Sequence, residues 1–232
     1  MNSPLSLTRT PGSGRPVVFL HGLASSGVQD WPDAEWATAL DGRPRLVLDL
    51  PAHGDSPALG TAPTAAVLDA LAATIGDEEV DLVGYSLGAR LAWDLAQHRG
   101  VSVRRLVLGG LSAGEPFALV DLTAARAAVA GGPAPTDPLT GMIVQMAAMP
   151  GNRPVELLDL IEGLAAEPFA PEAGVPSQPV LLIGGADDAM AAGIDGLAAL
   201  LPHARVHRVP GDHLAALHDP AFRTAARDFL AD

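Results

Sequence analysis

Residues Val80–Gly88 read V-D-L-V-G-Y-S-L-G, an apolar strand running straight into G-x-S-x-G and then into the helical stretch Leu87–His98. A chain that passes from a buried strand to a helix over so few residues must turn sharply. The positions flanking that turn must then be small, as Gly84 and Gly88 are. Such a turn lifts the Ser86 hydroxyl clear of the strand end and sets it at a helix N-terminus, where the dipole favours developing negative charge. Gly and Ser are common in loops, so the letters alone say little. Their placement between strand and helix makes Ser86 a candidate nucleophile.

The rest of the chain supplies a sheet for that strand. Short β-branched or Leu-rich runs at Pro16–Leu20, Arg45–Leu50, Val80–Gly84, Arg104–Gly109, Pro179–Gly184 and Arg205–Val209 alternate with helical stretches. The helices are expected at Asp33–Leu40, Thr64–Ile75, Leu87–His98, Gly193–Leu201 and Pro220–Leu230. Strand–helix alternation predicts an α/β fold, a mostly parallel twisted sheet with helices on both faces. Strands apolar along their whole length, such as V-V-F-L, suit a sheet covered on both sides. The alternation breaks once, between Ser112 and Gln178, where amphipathic stretches at Leu119–Ala130, Met142–Met149 and Val155–Ala166 sit among Gly and Pro. That region reads as a helical lid inserted into one domain, dividing the core into residues 1–111 and 179–232.

A serine hydroxyl is a poor nucleophile at neutral pH and needs a general base. Of the seven histidines, His213 is the best placed, in P-G-D-H-L between the last strand and the last helix, where such a sheet presents its strand ends to ligands. His98, His203, His207 and His218 read as surface residues. His53, in P-A-H-G-D-S, is expected to be structural, and His21 to shape the H-G-L turn. A carboxylate must fix the imidazole tautomer. I-G-G-A-D-D, at the end of the Pro179–Gly184 strand, offers two: counting G-x-x-D from Gly185 selects Asp188, with Asp187 as the alternative. An oxyanion needs two aimed backbone N–H groups, and these are expected from Leu87, the residue after the nucleophile, and from Leu23 in F-L-H-G-L-A-S-S-G.

Composition trims the alternatives. A net charge of −13 lacks the basic footprint of a nucleic-acid binder. All 14 basic residues are Arg, so lysine Schiff-base chemistry and Walker-type phosphate loops are excluded; zero cysteines remove thiolate catalysis and Cys-ligated metals. No metal site emerges and no cofactor is required. No apolar run approaches the roughly 20 residues that span a bilayer. The stretch Met1–Pro16 carries no secretory signal, which makes the cytoplasm the expected compartment. Oligomeric state is not encoded in any visible pattern.

The segments V-V-F-L-H-G-L, L-V-L-D-L-P-A-H-G-D-S, L-V-G-Y-S-L-G-A-R-L-A, L-L-I-G-G-A-D-D and V-P-G-D-H together resemble the α/β-hydrolase fold over nearly the full length. The order Ser86, Asp188, His213 is that of the family's catalytic triad. Two departures stand out: Ala52 takes the place of a usual glycine, a change expected to matter little, and only Pro4–Thr10 is left to supply one of the early antiparallel strands. The resemblance implies a serine hydrolase that cleaves a small carboxylic ester or thioester through an acyl-enzyme. G-Y-S-L-G-A-R with H-G-L-x-x-S…W upstream is also similar to the menaquinone-pathway lyase that eliminates pyruvate, in which the same residues abstract a proton. In that reading Arg90, one turn after Ser86, binds a substrate carboxylate; otherwise it is salt-bridged at the sheet–helix interface. Residues 112–178 hold eight acidic and two basic side chains, a poor field for a multiply negative substrate. A non-catalytic binding protein on the same fold is the third reading, disfavoured because every triad member is present.

Overall fold

The computed structural model describes residues 5–231. Seven strands form one sheet: β1 Leu7–Thr10, β2 Val17–Leu20, β3 Arg45–Leu48, β4 Glu79–Tyr85, β5 Ser102–Gly109, β6 Val180–Gly185 and β7 Ala204–Val209. Their order across the sheet is β1-β3-β2-β4-β5-β6-β7. Only β1 runs antiparallel, pairing with β3 from Leu7↔Leu48 to Thr10↔Arg45. Among the described residues, the stretch before β2 supplies one antiparallel strand, and Pro4 lies outside them.

The chain steps from β2 outward to β3 and then returns to place β4 on the other side of β2. The direction of winding therefore reverses between β2 and β4. At such a reversal the loops leaving the two strands part in opposite directions and leave a crevice beyond their C-terminal ends. Ser86 follows β4 and the H-G-L loop follows β2, so both candidate elements open on that crevice.

Both faces of the sheet are covered, so the C-terminal halves of the central strands are apolar, while Asp81 of β4 is buried in ion pairs with Arg43 and Arg104. Val18, Leu20, Leu82, Leu106, Leu108 and Leu182 join one cluster, and the alternate residues Val17, Phe19, Val83, Val107, Leu181 and Ile183 join another. The first cluster is closed by α3 Thr64–Ile75 and α4 Leu87–Leu95. The second is closed by α2 Asp33–Ala39 and α10 Pro220–Ala231, with Phe19, Trp31, Trp36 and Phe222 in ring contact. The tryptophans after the H-G-L loop are therefore core packing. Three shorter helices complete the core: α1 Gly27–Asp30, α8 Ile194–Leu200 and α9 His213–His218.

Residues 112–178 contain no strand; they form α5 Leu122–Val129, α6 Pro138–Ala147 and α7 Pro154–Ala166 after a tight turn at Phe117–Leu119. Asp121 and Asp137 cap α5 and α6 by accepting from Ala124 and Thr140 N–H, and Pro occupies the first turn of α6 and α7. These signals start α5 three residues later, and α6 four residues earlier, than apolar spacing alone suggests. Leu158, Ile161 and Leu164 of α7 belong to the main core cluster. Gly163 presses against the loop before α3, where a methyl group would overlap Ala62 O. Among the described residues no helix is long and apolar enough to cross a membrane.

Candidate active site

The turn between β4 and α4 holds Ser86 at φ 50°, ψ −114°, a conformation that L residues rarely adopt. The surroundings fix it there. Ser86 N–H donates to Gly109 O at 2.8 Å and Ser86 O accepts from Arg90 N–H. Both motif glycines are sterically required: a methyl on Gly84 would lie 2.5 Å from Gly88 O, and one on Gly88 would overlap Leu20 O.

The two aspartates separate cleanly. The Asp188 carboxylate is buried, with Oδ2 2.8 Å from His213 Nδ1 and Oδ1 accepting from Met190 and Ala191 N–H; Asp187 is exposed. Burial pushes the Asp188 carboxyl up, but the His213 hydrogen bond and charge, with the two N–H groups, outweigh it and hold the group below its usual value. His213 stands on the first turn of α9, not in a loop, because Asp212 caps that helix by accepting from Leu214 and Ala215 N–H. Its carbonyl accepts from Tyr85 OH, and the two rings pack 5.3 Å apart. Burial raises the Tyr85 phenol well above its usual value, so it stays a donor. His213 Cε1 flanks Gly110, which lines a cleft with Ser86, Leu87, Arg90, Leu111, Ser112, Gly114, Phe169 and Met190. Ser86 Oγ and His213 make no hydrogen bond in this structure.

The loop after β2 is held by groups that sequence reading assigned little. Gly22 N–H donates to Asp30 Oδ2 and Ala24 N–H to His53 Nε2, at 2.8 and 2.9 Å. Between them Leu23 N–H meets no acceptor among the described residues, and neither does Leu87 N–H at the head of α4. His21 and His53 are both buried: each faces a carbonyl with Nδ1 (Gly22 O, Pro51 O) and accepts a backbone N–H at Nε2, His21 from Leu50. Burial lowers both, His53 to about 3. They are neutral struts. Ala52 is buried at φ 66°, the left-handed region a glycine would enter freely; for alanine it costs about 1 kcal/mol. The departure from glycine is therefore less innocuous than its size suggests.

Arg90 is buried, lines the cleft and is already occupied. Its Nε stands 2.9 Å from Glu115 Oε2, and Nη2 donates to Thr64 Oγ1, Leu164 O and Glu167 O. Glu115 also accepts from Phe117 and Phe169 N–H. Neither Arg90 Nε nor Nη1 makes a hydrogen bond among the described residues, so Glu115 meets Arg90 as an ion pair alone. The same residues hold no cluster of three or more His, Asp or Glu suited to a metal ion.

Residues 17–227 match the model of the Alpha/beta hydrolase family. The chain belongs to that family. Among its relatives, the 2-succinyl-6-hydroxy-2,4-cyclohexadiene-1-carboxylate synthase of Klebsiella pneumoniae is 38% identical over 102 residues, 42% of this chain and 39% of that enzyme. The chain thus spans about two fifths of the length of that relative. Two solved structures share the fold. MenH from S. aureus superposes with a TM-score of 0.77 at 20% identity, covering 97% of both chains. A thermophilic esterase from Thermogutta terrifontis gives 0.76 at 20%, covering 98% of this chain and 93% of its own.

Proposed function

We propose that this α/β-hydrolase is a serine hydrolase acting on a small neutral carboxylic ester or thioester. Ser86 is the nucleophile, His213 the general base and Asp188 the carboxylate that orients it. The observation that carries this is the strained Ser86 turn at the winding reversal, at the same C-terminal end of the strands as the His213–Asp188 pair. In this mechanism Ser86 Oγ attacks the acyl carbon while His213 Nε2 takes its proton, and Asp188 stabilises the imidazolium. The tetrahedral oxyanion is received by Leu23 and Leu87 N–H. His213 then returns the proton to the leaving alkoxide or thiolate, and a water activated by the same imidazole releases the acid.

The cleft beside Ser86 is narrow, with about 30 Å³ of free space. A narrow cleft favours a short acyl group over a long one. Arg90 gives the site a guanidinium, but Glu115 already meets it, which favours a neutral acyl group.

The lyase reading draws on the synthase-named relatives and on the Arg90 group in the cleft. It makes His213 and Ser86 a proton-abstracting pair acting on a carboxylate-bearing substrate that eliminates pyruvate. A fluorophosphonate label, a p-nitrophenyl ester series and an assay of pyruvate release from the synthase substrate separate the readings. Labelling with turnover of acetyl to butyryl esters supports the hydrolase. Pyruvate release in preference to ester cleavage moves the assignment to the lyase, and absence of both activities and of labelling removes catalysis.

A further inference from the structure

The seam between the α6–α7 connection and the core is narrow. Asn152 Nδ2 donates to Ala24 O at 3.0 Å and to Met146 O at 2.9 Å. Two carbonyl acceptors demand the NH₂ end of the amide, so the orientation of this side chain follows from its neighbours. Next to it, Arg153 Nη2 donates to Ser56 O. Around these bonds three alanines, Ala24, Ala52 and Ala147, pack with Leu157.

Ala24 is an unusual residue for the lid to grip. It sits at φ 59°, and both its peptide groups are engaged, N–H with His53 Nε2 and C=O with Asn152 Nδ2. It immediately follows Leu23, whose N–H is the one amide of Gly22–Ala24 with no acceptor among the described residues. The direction of that N–H is set by the peptide plane between Gly22 and Leu23. The plane is anchored upstream by Asp30 on Gly22 and downstream by whatever keeps Ala24 left-handed. A left-handed alanine relaxes once its anchors are removed.

We propose that Asn152 is a positioning residue for the oxyanion hole, coupling the seated lid to the aim of Leu23 N–H. The inference rests on the acyl-transfer reading above. It assigns to the lid a part in the chemistry: the second oxyanion donor is aligned only when the α6–α7 connection is docked on Ala24.

The test compares two inhibitors matched in acyl length: a trifluoromethyl ketone, which adds Ser86 Oγ and places an oxyanion, and the corresponding methyl ketone, which only fills the cleft. Each enzyme is normalised to active sites by end-point fluorophosphonate titration, so misfolded protein does not count. In Asn152→Asp and Asn152→Ala, kcat for a p-nitrophenyl ester should fall about tenfold with KM little changed, the scale of one lost backbone-directed hydrogen bond. The trifluoromethyl ketone should weaken by a similar factor while the methyl ketone does not. Arg153→Ala, which releases the other lid tether without touching Ala24, should leave the ratio of the two inhibition constants as in the wild type. Equal weakening of both ketones, or the same selective loss in Arg153→Ala, overturns the assignment to Asn152. A wild-type enzyme that neither prefers the trifluoromethyl ketone nor labels overturns the acyl-transfer reading, and the inference with it. A wild type that does both, beside variants with an unchanged ratio, leaves the reading standing and refutes the inference alone.

Discussion

Acid should weaken this fold through His53, because the fold buries the ring in its neutral form. His53 is 1% exposed and accepts the Ala24 N–H at Nε2, a bond that a protonated ring cannot make. Burial, the neighbouring His21 and Arg153 drive its pKa from 6.5 to about 3. The folded state therefore holds the ring neutral while the unfolded chain takes up a proton below pH 6.5. His53 contributes stability that is whole above that pH and is lost as pH falls from 6.5 toward 3. Linkage gives a loss of about 2 kcal/mol between pH 7.5 and pH 5. The figure is set almost wholly by the unfolded value, since any folded pKa below about 4 gives the same result. Asp94, pushed up to about 6 mainly by burial, acts in the opposite sense over the same window, so the total slope mixes several groups. The clean measurement is a difference. His53→Gln keeps an acceptor for Ala24 N–H and removes the titration. Urea unfolding at pH 7.5 and 5.0 should show the wild type losing about 2 kcal/mol more than the variant, roughly 4–8 °C in Tm. Parallel losses in the two proteins would refute the account of His53 as a neutral buried strut.

Other expectations are simpler. Ser86→Ala should abolish ester turnover and fluorophosphonate labelling with little change in Tm, and a labelled variant would show that the nucleophile lies elsewhere. Asp188→Asn should lower kcat by about 10⁴-fold, the scale seen when a triad aspartate is replaced in a serine protease, while Asp187→Asn costs little; steady-state kinetics with the reverse ranking would move the acid to Asp187. Across p-nitrophenyl esters from acetate to decanoate, kcat/KM should peak within the first few carbons and then fall, with a hemisuccinate ester of matched length below its neutral counterpart. A hemisuccinate preference lost in Arg90→Ala would return weight to the lyase reading.

Much of this was legible before any coordinates. The central strands announced themselves because a doubly covered sheet needs runs that are apolar on both faces, and the Ser86 turn because two glycines and a serine stand between a strand and a helix. In residues 112–178 apolar spacing without the caps misplaces the helix starts: Asp137 followed by Pro138 marks the start of α6 better than Met142 does. The short helix at His213 has no apolar period of its own, and its signal is the Asp212 cap. The residues that hold the site together were the least visible. Glu115 on Arg90, Asp30 on Gly22 and Asn152 on Ala24 join positions 25, 8 and 128 residues apart in sequence, and no local pattern encodes such a pairing. His21 and His53 carried a signal, flanking small turn residues, but their use as acceptors depends on carbonyls and amides that only the fold brings near.

The overlap that a methyl on Gly88 would make with Leu20 O has a wider meaning. The first turn of α4, bearing Ser86 and Leu87 N–H, rests directly on the strand end that launches the loop bearing Leu23 N–H. On the proposed acyl-transfer reading, the nucleophile and both anion donors would share one main-chain reference surface, since it is backbone that a methyl on Gly88 would meet. Substitutions among the cleft-lining side chains can then alter which molecule is accepted while leaving the reacting distances alone. Adding a single carbon at Gly88 would spread those distances whatever the molecule. In this architecture the choice of substrate and the capacity to react are exposed to mutation separately, and a descendant of this chain can change the first without risking the second.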